Sequence, residues 1–164
     1  MDVQHGTADA AHGADLNRLA VSATNHCLTG CATGEVTGMV IAISLDWSDV
    51  AQVALAVGLA YLFGLSLTAR PLVKAGLGAG AVISTALAAD TVSITIMEAI
   101  DNAFVVLIPG AIEADIDQPL IYASIAGGFV VAYPFAFLAN RYMIARGNGH
   151  ALVHEHHGQG DRAH

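Results

Sequence analysis

Residues 26–39 read HCLTGCATGEVTGM, a stretch apolar enough to lie in a membrane that still carries an imidazole, two thiols and a carboxylate. On an α-helix, positions four apart drift by only about 40°. Cys27, Cys31 and Glu35 therefore form one ridge, and His26, Gly30, Gly34 and Gly38 form the ridge beside it. The second ridge is a doubled GxxxG pattern, which lets another helix backbone approach closely. One helix is thus expected to present soft ligands and an acid next to a flat packing surface. The rest of the chain should supply the partner helices.

The whole chain fits that reading. Its 164 residues make one domain the simplest expectation. Hydrophobic residues are 55% and charged residues 12%, with a mean hydropathy of +0.59. Long runs nearly free of charge point to an integral membrane protein, because a soluble helical domain would carry polar residues every three or four positions. The net charge of −8 falls largely outside those runs, and only six residues are Lys or Arg. That balance argues against nucleic-acid binding, which relies on basic surface. The first residues lack a basic region leading into a short apolar one, so no cleavable signal peptide is expected. Cys27 and Cys31 sit one helical turn apart, a poor placement for a structural disulfide in a regular helix. They read as free thiols or ligands.

Four spans follow along the chain, giving an all-α polytopic bundle with three parts. Residues 1–16 form a polar N-terminal tail expected to be flexible or surface-lying, residues 17–146 the four-helix transmembrane domain, and residues 147–164 a flexible His-rich C-terminal tail. The first span is expected from about Asn17 to Ser44, ahead of a turn containing Trp47. The second is expected from about Val50 to Thr68, stopping at Ala69-Arg70-Pro71. Gly76 to Ile108 would be about 50 Å as one helix, against about 30 Å of hydrocarbon. It must be tilted, projecting or broken, with the glycines at 76, 78 and 80 and the pair Asp90-Thr91 as the candidate breaks. An acidic loop, Ala111 to Gln118, leads to a last span from about Pro119 to Ile144, kinked near Pro134. Arg18, Arg70, Lys74, Arg141 and Arg146 all flank one side, so the positive-inside rule places both termini in the cytoplasm.

Three constellations carry potential chemistry. The first is His26, Cys27, Cys31 and Glu35. Thiolate and imidazole suit copper and zinc, although His26 lies roughly 100° from Cys27 and a regular helix cannot aim all four groups at one ion. The bland alternative is two small apolar packers and a hydrogen-bonded histidine. The second is Asp90, Glu98 and Asp101, which share one face of the third span. A carboxylate facing hydrocarbon costs about 2.5–3.5 kcal/mol on insertion scales, so these acids should face the bundle interior, a water-filled cavity, a cation or a proton path. The bland alternatives are solvation of Glu98 and Asp101 at the outer interface and a structural hydrogen bond between Asp90 and a Ser, Thr or Asn; Ser93, Thr95 and Asn102 add polar groups nearby. Glu35 is expected to meet them, because the first and third spans cross in the same direction. The third is the tail with His150, His154, His156 and His157, a site for metal if ordered. His5 and His12 are weaker candidates. No GxGxxG, Walker loop, GxSxG or HExxH occurs, so no nucleotide or organic cofactor is indicated and an enzyme is the less favoured class.

The blocks HCLTGCATGEVTGM, ADTVSITIMEAIDN with IPGA, and NRYMIARGNGHALVHEHH resemble, in order, an uncharacterised prokaryotic integral-membrane family, a domain of unknown function (DUF4396). The resemblance covers about residues 25–157. It implies a small polytopic membrane protein and no established activity. The positions it singles out are His26, Cys27, Cys31, Glu35, Asp90, Glu98, Asp101, Asn140, Arg141, His150 and His154.

The leading expectation is a protein of the prokaryotic inner membrane that binds or transports a transition-metal cation, copper or zinc. His26, Cys27 and Cys31 would be soft ligands, Glu35, Asp90, Glu98 and Asp101 would supply charge along the path, and His150 and His154 would collect the ion. The alternative is a membrane scaffold whose Gly30, Gly34 and Gly38 ridge packs against a second copy or another membrane protein. A third reading is proton-coupled transport through the carboxylates. In each case the lipid bilayer is the first partner.

Overall fold

Hydrocarbon offers no water to peptide groups, so each apolar run must close its own hydrogen bonds as a helix. The computed structural model describes residues 3–146, with side chains from residue 13 onward, and among these residues there is no strand. The helices are α1 (Val3–Ser44), α2 (Asp49–Lys74), α3 (Ala79–Leu107) and α4 (Pro119–Ala145). Each contains a segment long and apolar enough to cross a membrane. The chain is an all-helical integral membrane protein.

Two details differ from expectation, and a third falls at one of the two expected breaks. Helix α1 reaches back to Val3, into the stretch expected as a flexible tail. That stretch is rich in alanine, the strongest helix former, and contains no proline to stop it. Helix α2 runs through Pro71 to Lys74, since proline removes only the one bond its own nitrogen would donate. Helix α3 is unbroken at Asp90 and starts only at Ala79. The segment is shortened instead by Gly76, whose φ of +80° ends the preceding helix. Leu77 N–H donates to the Leu72 carbonyl and Gly76 N–H to that of Val73, the paired bonds of a left-handed C-terminal cap. Asp46, at φ +53°, closes α1 the same way. The 29 residues of α3 span about 43 Å, still longer than the hydrocarbon layer. The His-rich tail with His150 and His154 lies outside the described residues.

The helices run up and down in a ring, α1–α2–α3–α4, with α1 also touching α3 across the diagonal. Membrane-exposed hydroxyls satisfy themselves locally: Thr29, Thr33, Thr37 and Ser66 each donate to the carbonyl four residues earlier. The interior combines small apolar residues such as Ala56, Ala60, Ala132 and Ala136 with Met39, Ile94 and Met97. Among the described residues ten polar or charged ones are buried with them, an unusual load for a lipid-embedded bundle.

Candidate functional site

The two ridges of α1 face different neighbours. A Cβ on Gly30 would meet the Gly64 Cα at 2.5 Å, and one on Gly38 the Ala56 Cα at 2.5 Å. A Cβ on Gly34 would overlap the Ala60 backbone. The glycine ridge is therefore filled by α2 of the same chain. It offers no free surface to a second copy or a membrane partner.

The other ridge turns to α3. Cys27 and Cys31 are both buried and their sulfurs lie 3.9 Å apart. Beside Cys31 stands Glu98 of α3. One turn further along, the Glu35 carboxyl lies against that of Asp101, with Glu98 near both. Glu35 and Asp101 are each 0% exposed, and Glu98 is 4%. None of the four oxygens of Glu35 and Asp101 receives a hydrogen bond from a donor group among the described residues. Helix α4 closes over the pair through Gly128, where a Cβ would overlap the Asp101 carboxyl. The Arg18–Asp15 ion pair is exposed and local to α1.

A second polar layer lies toward the other end of the bundle. Asn140 on α4 donates to Thr24 on α1 and Ser93 on α3, each at 3.0 Å, and so ties three helices together. His26 Nε2 sits 3.1 Å from the Thr68 hydroxyl of α2, and Asp90 is beside the same threonine. Following α3 from Asp101 to Asp90 covers about 16 Å at 1.5 Å per residue, more than half the hydrocarbon thickness.

Of the residues expected from sequence, Cys27, Cys31, Glu35, Glu98 and Asp101 are brought together. His26 and Asp90 are not among them; they meet through Thr68 in the other layer. Among the described residues no three His, Cys, Asp or Glu side chains are arranged to hold a metal ion. Thr24 and Thr68 escaped the sequence reading. Each is a small polar side chain on a helix, a signal shared with the many hydroxyls that only bond their own helix. Gln52 was also missed. Its side-chain nitrogen is buried without a partner, beside a cavity of about 150 Å³ at the loop end that is lined with Asp46, Asp49, Glu113 and Asp115.

A family model described as a domain of unknown function (DUF4396) matches residues 17–149. No curated protein and no solved structure matches the chain.

Proposed function

The chain belongs to the DUF4396 family, and on that footing we propose that it binds a cation inside the bilayer and passes it along the α1–α3 interface. One observation carries this reading: the buried Glu35 and Asp101 carboxyls lie against each other with no donor to satisfy them. Carboxyl oxygens stay adjacent in a low-dielectric interior only when a cation, either a metal ion or a proton, accompanies them. The thiols of Cys31 and Cys27 continue the row from Glu98, and thiol beside carboxyl favours a borderline-soft ion such as zinc or copper over a hard one. The acidic cavity around Asp46 and Glu113 supplies a mouth at the loop end. By the positive-inside rule that mouth faces away from the cytoplasm of a prokaryotic inner membrane, with both termini inside.

A proton is the second reading. It is favoured by the lack of a three-residue metal arrangement among the described residues. The scaffold alternative loses its basis in the glycine ridge, which α2 already fills.

Elemental analysis of detergent-purified protein separates the two. Metal near one ion per chain, lost in the Cys27→Ala, Cys31→Ala double variant and in Glu35→Gln, supports metal handling. Metal-free protein whose proteoliposomes conduct protons until Asp101 is changed to Asn supports the proton reading. Neither metal nor proton flux overturns both.

A further inference from the structure

Helices α1 and α4 run antiparallel, and two exposed polar pairs mark the outer edge of their seam. Arg141 Nε donates to Asn17 Oδ1 at 2.7 Å, and the Tyr133 hydroxyl donates to Asn25 Oδ1 at 2.8 Å. Asn17 and Asn25 are eight residues apart on α1, as Arg141 and Tyr133 are on α4. The same register puts Leu28 opposite Val130 and Ala32 opposite Ala126. Those four residues, with Phe129 and Tyr133, line an open groove of about 500 Å³. That volume falls within the range of about 300–1,000 Å³ common to ligand pockets. Arg141 and the groove therefore lie on one line along the seam.

One end of this line is cationic and the other apolar. Arg141 is exposed, forms no ion pair among the described residues and uses only Nε on Asn17. The four N–H groups of its two Nη atoms have no acceptor among those residues. Asp15, the nearest acid along α1, is already paired with Arg18. In the groove Val130 is 74% exposed, and the one polar group of the lining side chains, the Tyr133 hydroxyl, is engaged by Asn25. From Arg141 to Ala126 is fifteen residues, about 22 Å at 1.5 Å per residue. One leaflet from headgroup to midplane, half of the full bilayer, is also about 20–22 Å deep. A ligand matching the seam carries an anionic acceptor at one end and a long apolar chain at the other.

We propose that the outer α1–α4 seam is a binding site for one anionic phospholipid of the cytoplasmic leaflet. The phosphate oxygens accept from the Arg141 Nη groups, and an acyl chain runs past Tyr133 into the groove between Leu28, Ala32, Ala126 and Val130. A zwitterionic lipid of equal chain length brings its own cation to the phosphate, which opposes the guanidinium. A second copy of the chain lying parallel in the membrane would bring its own basic end against Arg141, so charge favours the lipid. The site uses none of the acids or thiols of the proposed cation row and does not depend on that row conducting anything.

The test is native mass spectrometry of the full chain in detergent, titrated with dioleoyl-phosphatidylglycerol and with dioleoyl-phosphatidylcholine. One phosphatidylglycerol per chain is expected to saturate at about tenfold lower concentration than phosphatidylcholine, the contribution of one charge-assisted hydrogen bond. Arg141→Gln should bring the two lipids level. Arg146→Gln should leave the preference intact, because Arg146 stacks on Tyr142 and lies about 140° around the helix from Arg141. Ala126→Trp, at an exposed position, fills the groove with every charge in place and should weaken both lipids by about tenfold or more. The parent comparison and Ala126→Trp decide the matter even if loss of the Asn17 bond leaves Arg141→Gln unfolded. Equal binding of the two lipids by the parent overturns the site, as does unchanged binding in Ala126→Trp. An Arg146→Gln effect as large as that of Arg141→Gln reduces the preference to diffuse surface charge and overturns it too. A chain dimer that excludes lipid and falls apart in Ala126→Trp overturns it in favour of a second copy.

Discussion

Both ridges of α1 are built on the same four-residue step, yet they do opposite work. Gly30, Gly34 and Gly38 bring the backbones of α1 and α2 into contact, so at these three positions the seam has no side chain that could carry charge or bind a ligand. Cys27, Cys31 and Glu35 meet Glu98 and Asp101 through side chains, with acceptors left unsatisfied. The first seam is tolerant of chemistry and intolerant of volume, whereas the second should be the reverse. In lipid, where apolar burial adds little drive to helix association, close backbone packing can hold the bundle while the polar seam is kept for something other than stability.

The sharpest way to break this contrast is volume on the glycine side. Gly34→Val drives a branched side chain into the Ala60 backbone, which cannot rotate away. A loss of about 3 kcal/mol or more is expected, read as disappearance of the monodisperse peak in detergent size-exclusion chromatography. Next comes Asn140→Ala, which removes the two bonds joining α4 to Thr24 and Ser93. Its cost should be about 1–2 kcal/mol, visible as a lower thermal midpoint in the same detergent.

On the acidic side the expected sign reverses. Glu35→Gln together with Asp101→Asn replaces two donorless carboxyls with amides that can donate to each other. The midpoint should stay level or rise by the equivalent of about 1 kcal/mol, while bound metal or proton flux is lost. A large fall would show that the acids hold the fold together. The smallest effect belongs to Gly58→Ala. It lies on α2, where a Cβ meets nothing within 4 Å. A gain of about 0.5–1 kcal/mol is expected from helix propensity, and comparison with Gly34→Val separates packing glycines from idle ones.

Much of this was legible in the sequence because the bilayer makes the rules strict. Apolar length predicted four helices, and the four-residue spacing predicted both ridges of α1. The cost of a carboxylate in hydrocarbon predicted that Glu35, Glu98 and Asp101 would turn inward. The split between His26 and Cys27 was half legible. Their separation of about 100° means that a regular helix does not aim both at one ion, although they were expected to act together as soft ligands. Nothing in the sequence named Thr68 as the partner of His26. The roles of Thr24, Thr68 and Gln52 were not legible, because a small or amide side chain on an apolar helix has the same pattern whether it bonds its own helix or a neighbour.

Sequence alone determined that the chain lies in a membrane, how many times it can cross and which groups are too costly to face lipid, because those follow from transfer free energies and helical geometry within one segment. Only the tertiary structure decided that α2, and not another protein, fills the glycine ridge. It also decided that Glu35 meets Asp101 while Asp90 stays with Thr68. Those outcomes depend on the relative rotation and vertical offset of helices far apart in the chain, which packing against all three neighbours sets at once.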